Sequence, residues 1–248
     1  MTATDGKILT REVLTDGAAY GAWLSALSET GGVALVDKDK DWTSFDVVAK
    51  LRGIVRMKKI GHAGTLDPLA TGLLIVCFGK MTKSINDFQE QTKAYRAVVK
   101  LGATTKTDDA EAPEENMVDT NGLTSSQMQD VLSGYVGDIK QIPPMFSAIK
   151  KNGVPLYKLA RKGHEIEREP RSVSIYSIEI ESLVLPLCTL HITCSKGTYI
   201  RSLARDVGAA LGVGGYLADL RRTSIGDFSV DNALRISEIS QLQARLQA

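Results

Sequence analysis

The sequence predicts a mixed α+β fold: a large, mostly antiparallel sheet with flanking helices. Strand-like and helix-like patterns do not alternate regularly enough for a doubly wound parallel sheet. Two strand-like runs, "RSVSIYSIEI" (171–180) and "CTLHITCS" (188–195), are near neighbours in the chain, as antiparallel partners are. No internal repeat or low-complexity tract points to a solenoid or a linker.

The elements follow in order. A weakly amphipathic stretch around Trp23, Leu24 and Leu27 is expected to add a helix to the main body. "GGVALVDKD" (31–39) reads as a short buried strand. In "TSFDVVAKLRGIV" (43–55), Thr43 and Asp46 have capping-box spacing, and Val47, Val48, Leu51, Ile54 and Val55 recur at helical intervals, so a helix starts near Ser44. "GHAGTLDPLATG" (61–72) packs small residues around one acid, Asp67, the only carboxylate between Asp46 and Asp87. Such a stretch bends sharply and lets another molecule come close.

"LLIVCFG" (73–79) is a continuous apolar run of buried-strand type, and "KAYRAVVKLG" (93–102) alternates, which turns Tyr95 inward with Ala97, Val99 and Leu101. The acidic stretch 108–119 is expected as an exposed loop, "SSQMQDVLSGYVG" (125–137) as a short amphipathic helix, and "QIPPMFSAI" (141–149) as an extended segment before a basic, partly helical excursion. In "YIRSLARDVGAALG" (199–212), Ile200, Leu203, Ala204, Val207 and Leu211 form one helix face. Thr198 is the expected N-cap and Gly212 the stop.

Composition narrows the class. With 248 residues, 43% hydrophobic and 24% charged, the chain can bury a substantial core. No apolar run approaches the roughly 20 residues of a membrane span, and the N-terminus lacks a secretory pattern, so a cytoplasmic address is expected. Cys77, Cys188 and Cys194 form no C-x-x-C pair and read as buried, reduced thiols. Net charge is only +1, but it is unevenly spread: residues 52–59 carry four bases and no acid, 138–171 eight bases against four acids, and 108–119 six acids and no base. A basic face with a displaced acidic loop suits a polyanion partner.

The histidines at 62, 164 and 191 have no ligand partner three or four residues away, and phosphate-loop and serine-elbow motifs are missing, so no metal or cofactor is expected. What remains is Asp67 on its loop, an inward Tyr95, and Arg201 in the first turn of a helix, where the dipole disfavours a cation and calls for an anion nearby. Asp67 is a candidate for that anion. An arginine within reach keeps a carboxylate ionised, as a nucleophile or base requires. A glycoside hydrolase would need a second acid, and none stands out.

Together "GHAGTLDPLATG", "KAYR", "SKGTYIRSLARDVG" and "DLRR" resemble, in order, the bacterial tRNA pseudouridine synthases of the TruB family, over roughly residues 32–240. The resemblance implies conversion of uridine 55 in the tRNA T-loop to pseudouridine, by flipping the nucleotide out, without cofactor or metal. It makes Asp67 the essential aspartate, Tyr95 the tyrosine that stacks on the target uracil, and Arg201 the arginine that pairs with the aspartate. It places His62 in the vacated stacking space, Tyr199 and Leu220 against the flipped base, and Lys196 near phosphates.

Residues 138–171 resemble the family's flexible thumb over the T-arm. Residues 1–31 are then an N-terminal extension and 32–248 the catalytic domain, with no room for a C-terminal PUA module and, with it, no guide RNA expected. The expected partner is the tRNA T-arm, with no membrane, and the expected state is monomeric. One departure stands out: Asp39 and Asp41 replace the proline and glycine of the family's first motif, which adds negative charge and leaves Lys38 without an assigned role.

Overall fold

The computed structural model describes residues 7–14, 17–151 and 153–247. These form two compact units, one of Met1–Ala94 with Arg221–Ala248, the other of Tyr95–Leu220. The first unit opens with β1 (Ile8–Leu9), α1 (Gly17–Ala26), β2 (Gly32–Lys38), α2 (Ser44–Val55), β3 (Ile60–His62), β4 (Thr71–Phe78) and α3 (Ile85–Glu90). β2 and β4 pair antiparallel from Gly32↔Phe78 to Lys38↔Gly72, β1 adds a parallel edge to β2, and β3 pairs antiparallel with β4.

Both faces of this sheet are covered. Ala34, Val36, Leu74, Val76 and Phe78 pack against Trp23 and Leu27 and against Val47, Val48 and Leu51 of α2. Val33, Leu35, Leu73, Ile75 and Cys77 pack against Met81, Phe88 and Ile225. A strand buried on both sides has no polar face to show, hence the unbroken apolar run of β4. α2 starts with the capping box its spacing predicts: Thr43 Oγ1 accepts the Asp46 N–H and Asp46 accepts the Thr43 N–H.

The second unit follows β5 (Lys93–Leu101) with the small pair β6 (Thr104–Thr105) and β7 (Glu114–Glu115), then α4 (Ser125–Ser133), β8 (Gly137–Gln141), the small pair β9 (Lys150–Lys151) and β10 (Val154–Pro155), α5 (Leu156–Ala160), β11 (Arg171–Val184), β12 (Leu187–Cys194), α6 (Ile200–Ala210) and β13 (Gly215–Ile225). Its strand order is β13-β5-β12-β11-β8. β11 and β12 form the expected antiparallel hairpin, from Ile175↔Cys194 to Val184↔Leu187. α4 packs on β11 and α6 and buries Met128 and Leu132. A Cβ on Gly208 of α6 would lie 2.2 Å from Gly215 N, so only glycine permits this approach of helix and strand.

β13 begins in the second unit and ends in the first, where Arg221 and Arg222 pair with Thr71 and Gly72. β14 (Phe228–Ser229) and α7 (Ile236–Gln247) complete the first unit. The chain is thus α+β with a large, mostly antiparallel sheet.

Three local expectations need correction. Tyr199, not Thr198, is the α6 N-cap, because the Thr198 hydroxyl donates instead to Ser195 O at 3.0 Å in the preceding turn. His62, which the sequence puts at the start of the sharply bending stretch 61–72, is the last residue of β3. The acidic stretch 108–119 is exposed only from residue 110 onward apart from half-buried Ala112, since Asp109 is buried and Asp108 partly so.

Candidate active site

In the first unit, the loop between β3 and β4 carries Asp67, half-buried, and its backbone is held at several points. The Gly64 carbonyl accepts from Arg222 Nη2 at 3.2 Å. The Leu66 N–H donates to Ser44 Oγ at 2.8 Å, and Ser44 Oγ donates back to Leu66 O at 3.1 Å. The Asp67 carbonyl accepts the Ala70 N–H at 3.1 Å, and the Pro68 carbonyl accepts the Asp41 N–H at 2.9 Å. The Asp67 carboxylate thus springs from a backbone that these bonds hold in place.

Two of the ties explain local sequence. Gly72 has φ 98°, and a Cβ there would meet Arg222 O at 2.3 Å, so the last glycine of the small-residue motif lets β13 close on β4. Asp41 takes a left-handed φ of 66°, at the position where the family's first motif has glycine; aspartate tolerates this conformation better than most residues.

Lys38, left without a role by the sequence, is fully buried. Its ammonium donates to Trp42 O at 2.6 Å, Asp39 O at 3.0 Å and Pro68 O at 3.3 Å, so it spans the turn before α2 and the residue after Asp67. Burial pulls its pKa down to about 8, against the opposing influence of Asp67, Asp39 and Asp41. His62 Nδ1 is buried with no hydrogen-bond partner among the described residues, and burial lowers the ring's pKa although the nearby Gly64 backbone favours protonation.

In the second unit, Tyr95 is half-buried on the inward face of β5, beside buried Ala97, Val99 and Leu101. Arg201, at the start of α6, is buried. Its Nη2 donates to Phe146 O at 2.8 Å, its Nη1 donates to Thr107 O at 3.1 Å, and Nη1 lies 3.5 Å from Asp109 Oδ2. Asp109 is held in turn by the Thr107 hydroxyl at 2.6 Å and the Glu111 N–H at 3.0 Å. Within its own unit, the anion that this first-turn arginine calls for is therefore Asp109. One turn on, Arg205 pairs with Asp108 at 2.9 Å; burial raises the Asp108 pKa in spite of Arg205 and Arg201.

Tyr199 exchanges backbone hydrogen bonds with the buried Gln141 side chain, at 2.8 and 3.0 Å. Leu220 is buried on β13 and Lys196 is exposed before α6. Asp67 and His62 thus belong to one unit, and Tyr95, Lys196, Tyr199, Arg201 and Leu220 to the other. The sequence reading missed Ser44, Asp109, Gln141 and Arg222. Thr105 and Thr107, which precede Asp109, both bond its carbonyl through their hydroxyls, but nothing in the residue pattern marks this acid as buried. Among the described residues no group of three or more His, Cys, Asp or Glu side chains could hold a metal ion, and no helix is long and apolar enough to cross a membrane.

The N-terminal domain of TruB family pseudouridylate synthases matches residues 52–200, and the C-terminal domain of tRNA pseudouridylate synthase B matches residues 201–248. The class is that of the pseudouridylate synthases. Among relatives, the tRNA pseudouridine synthase B of Dechloromonas aromatica is 49% identical over 88% of this chain and 72% of its own length. That of Geobacter sulfurreducens is 47% identical over 85% and 69%, and that of Chlorobaculum tepidum 44% over 87% and 92%. Of solved structures, a Cbf5-Nop10-Gar1 complex has a chain 27% identical with a TM-score of 0.69, covering 88% of this chain and 56% of its own. An H/ACA RNP bound to a substrate RNA containing 2'-deoxyuridine has one 25% identical with a TM-score of 0.66, over 88% and 55%. The chain belongs to the TruB family of pseudouridylate synthases.

Proposed function

We propose that this enzyme converts uridine 55 in the T-loop of tRNA to pseudouridine, with Asp67 as the acting carboxylate. The observation that carries this reading is the Asp67 loop: one half-buried acid on a backbone fixed at Gly64, Leu66, Asp67 and Pro68. The reaction is an isomerisation. The N1–C1′ bond breaks, the uracil turns, C5 bonds to C1′, and the proton lost from C5 is matched by one gained at N1. Nothing is added or removed, so one positioned carboxylate suffices. It acts at C1′, at C6 or on the C2′ proton, and all three routes need it ionised.

In this reading Tyr95 stacks on the uracil and takes part in the C5 proton transfer, while Arg201 supports the carboxylate's charge. His62 fills the space the flipped nucleotide leaves, Tyr199 and Leu220 contact the base, and Lys196 meets phosphate. Residues 138–171 grip the T-arm backbone through their bases. The enzyme works in the cytoplasm, as a monomer, on tRNA without a guide.

The test is to incubate the protein with an unmodified tRNA transcript and map pseudouridine. One new pseudouridine at position 55, absent from a transcript with cytidine there, is the expected result. Binding with no conversion would leave an RNA-binding protein, and release of free uracil would make it a nucleosidase.

A further inference from the structure

Ser44 is the first residue of α2, where a serine ordinarily serves the helix end. Here that task is done by Thr43 and Asp46, which complete the capping box between them. The Ser44 hydroxyl, with the residue only 2% exposed, turns instead to Leu66, accepting its N–H and donating to its carbonyl. That carbonyl belongs to the peptide joining Leu66 to Asp67, so its plane fixes the backbone on one side of the acid. On the other side, Pro68 O is held by the Asp41 N–H and the Lys38 ammonium. The Asp67 backbone is thereby held from both sides by three residues of the β2–α2 connection and its ends: Ser44, Asp41 and Lys38.

The geometry points to Ser44 as a positioning residue for the isomerisation, acting on the Asp67 carboxylate through the Leu66–Asp67 peptide. This rests on the reading of Asp67 as the acting carboxylate. Ser44 touches no reacting atom; it sets the direction from which the carboxylate approaches the ribose or the uracil. Displacement of a reacting group by about 1 Å costs on the order of 100-fold in rate, and sites need their groups held within about 0.5 Å.

The experiment compares Ser44→Ala, Ser44→Thr and Ser44→Val with the unaltered enzyme and with Asp67→Ala, measuring kcat and KM for a tRNA transcript. Threonine and valine have nearly the same shape and differ in the hydroxyl. Ser44→Ala and Ser44→Val are expected to lose about 10- to 100-fold in kcat with KM within about threefold, while Ser44→Thr keeps most of the rate. Hydrogen exchange of the peptide spanning residues 63–70 should accelerate in the alanine and valine variants alone. Equal rates for Ser44→Thr and Ser44→Val would overturn the proposal, whatever the packing cost of either. An inactive Asp67→Ala beside a fully active Ser44→Ala removes only the role of Ser44. An active Asp67→Ala removes the reading beneath it.

Discussion

A fully buried lysine beside the Asp67 loop gives the first unit a pH signature. Lys38 titrates near its ordinary 10.5 in the unfolded chain and at about 8 in the folded one. Between those values the unfolded chain holds a proton that the folded chain has released, so the Lys38 contribution to stability rises with pH from about 8 to about 10.5. Below pH 8 both states are protonated and the full burial penalty stands. Urea midpoints of the protein and of Lys38→Met, taken from pH 7 to pH 10.5, should diverge in favour of the unaltered chain as pH rises; a constant gap would contradict the assignment. Asp109 makes a second test. Asp109→Ala removes a buried carboxylate 3.5 Å from the Arg201 guanidinium; breaking a buried ion pair costs about 3–5 kcal/mol, and the variant should slow conversion as well. Chemical denaturation showing under 1 kcal/mol of loss would mean that the 3.5 Å pair does little.

Legibility in the sequence differs from element to element for physical reasons. β4 and α2 are plain, because burial on both faces and a capping box leave direct marks on residue type. Alternation along β5 assigns Tyr95 its face correctly. Asp109 is not legible: it sits in a run of acids, and composition cannot tell a buried acid from its solvated neighbours when the partner, Arg201, lies far along the chain. Ser44 is hidden similarly, since a helix-opening serine has an ordinary local explanation. Lys38 is obscured by the aspartates on either side of the turn it bridges. The basic excursion is different again, because the role proposed for it is electrostatic and needs no fixed geometry. Lys150, Lys151 and Arg161 are exposed. Changing all three to glutamine should weaken tRNA binding and flatten the slope of log affinity against log salt by about 2–3, at roughly 0.7–0.9 for each phosphate no longer neutralised. An unchanged slope would remove the thumb assignment.

Considered as a folding chain, the protein uses its first thirty residues more heavily than an appended segment would. Tyr20, Trp23 and Leu27 are buried in the core beneath β2 and β4, Trp23 donates to Lys7 O at 3.2 Å, and β1 covers the edge of β2. Trp23→Ala should cost about 3–5 kcal/mol, a large part of a typical domain's roughly 5–15 kcal/mol. Deleting residues 1–31 should abolish cooperative unfolding altogether. A truncated chain that melts as sharply as the whole one would show this segment to be dispensable. Near-zero net charge conceals the partner class at this level, and within the charge itself it is the uneven placement that suits RNA. The decisive measurement is single-turnover pseudouridine formation by the protein and by Asp67→Ala, on the same tRNA transcript at saturating enzyme with tRNA binding measured in parallel. The structure and family together lead us to expect equal binding, with conversion lost by at least about 1,000-fold in the variant. Conversion by Asp67→Ala at a comparable rate would contradict the assignment of the chemistry to this loop.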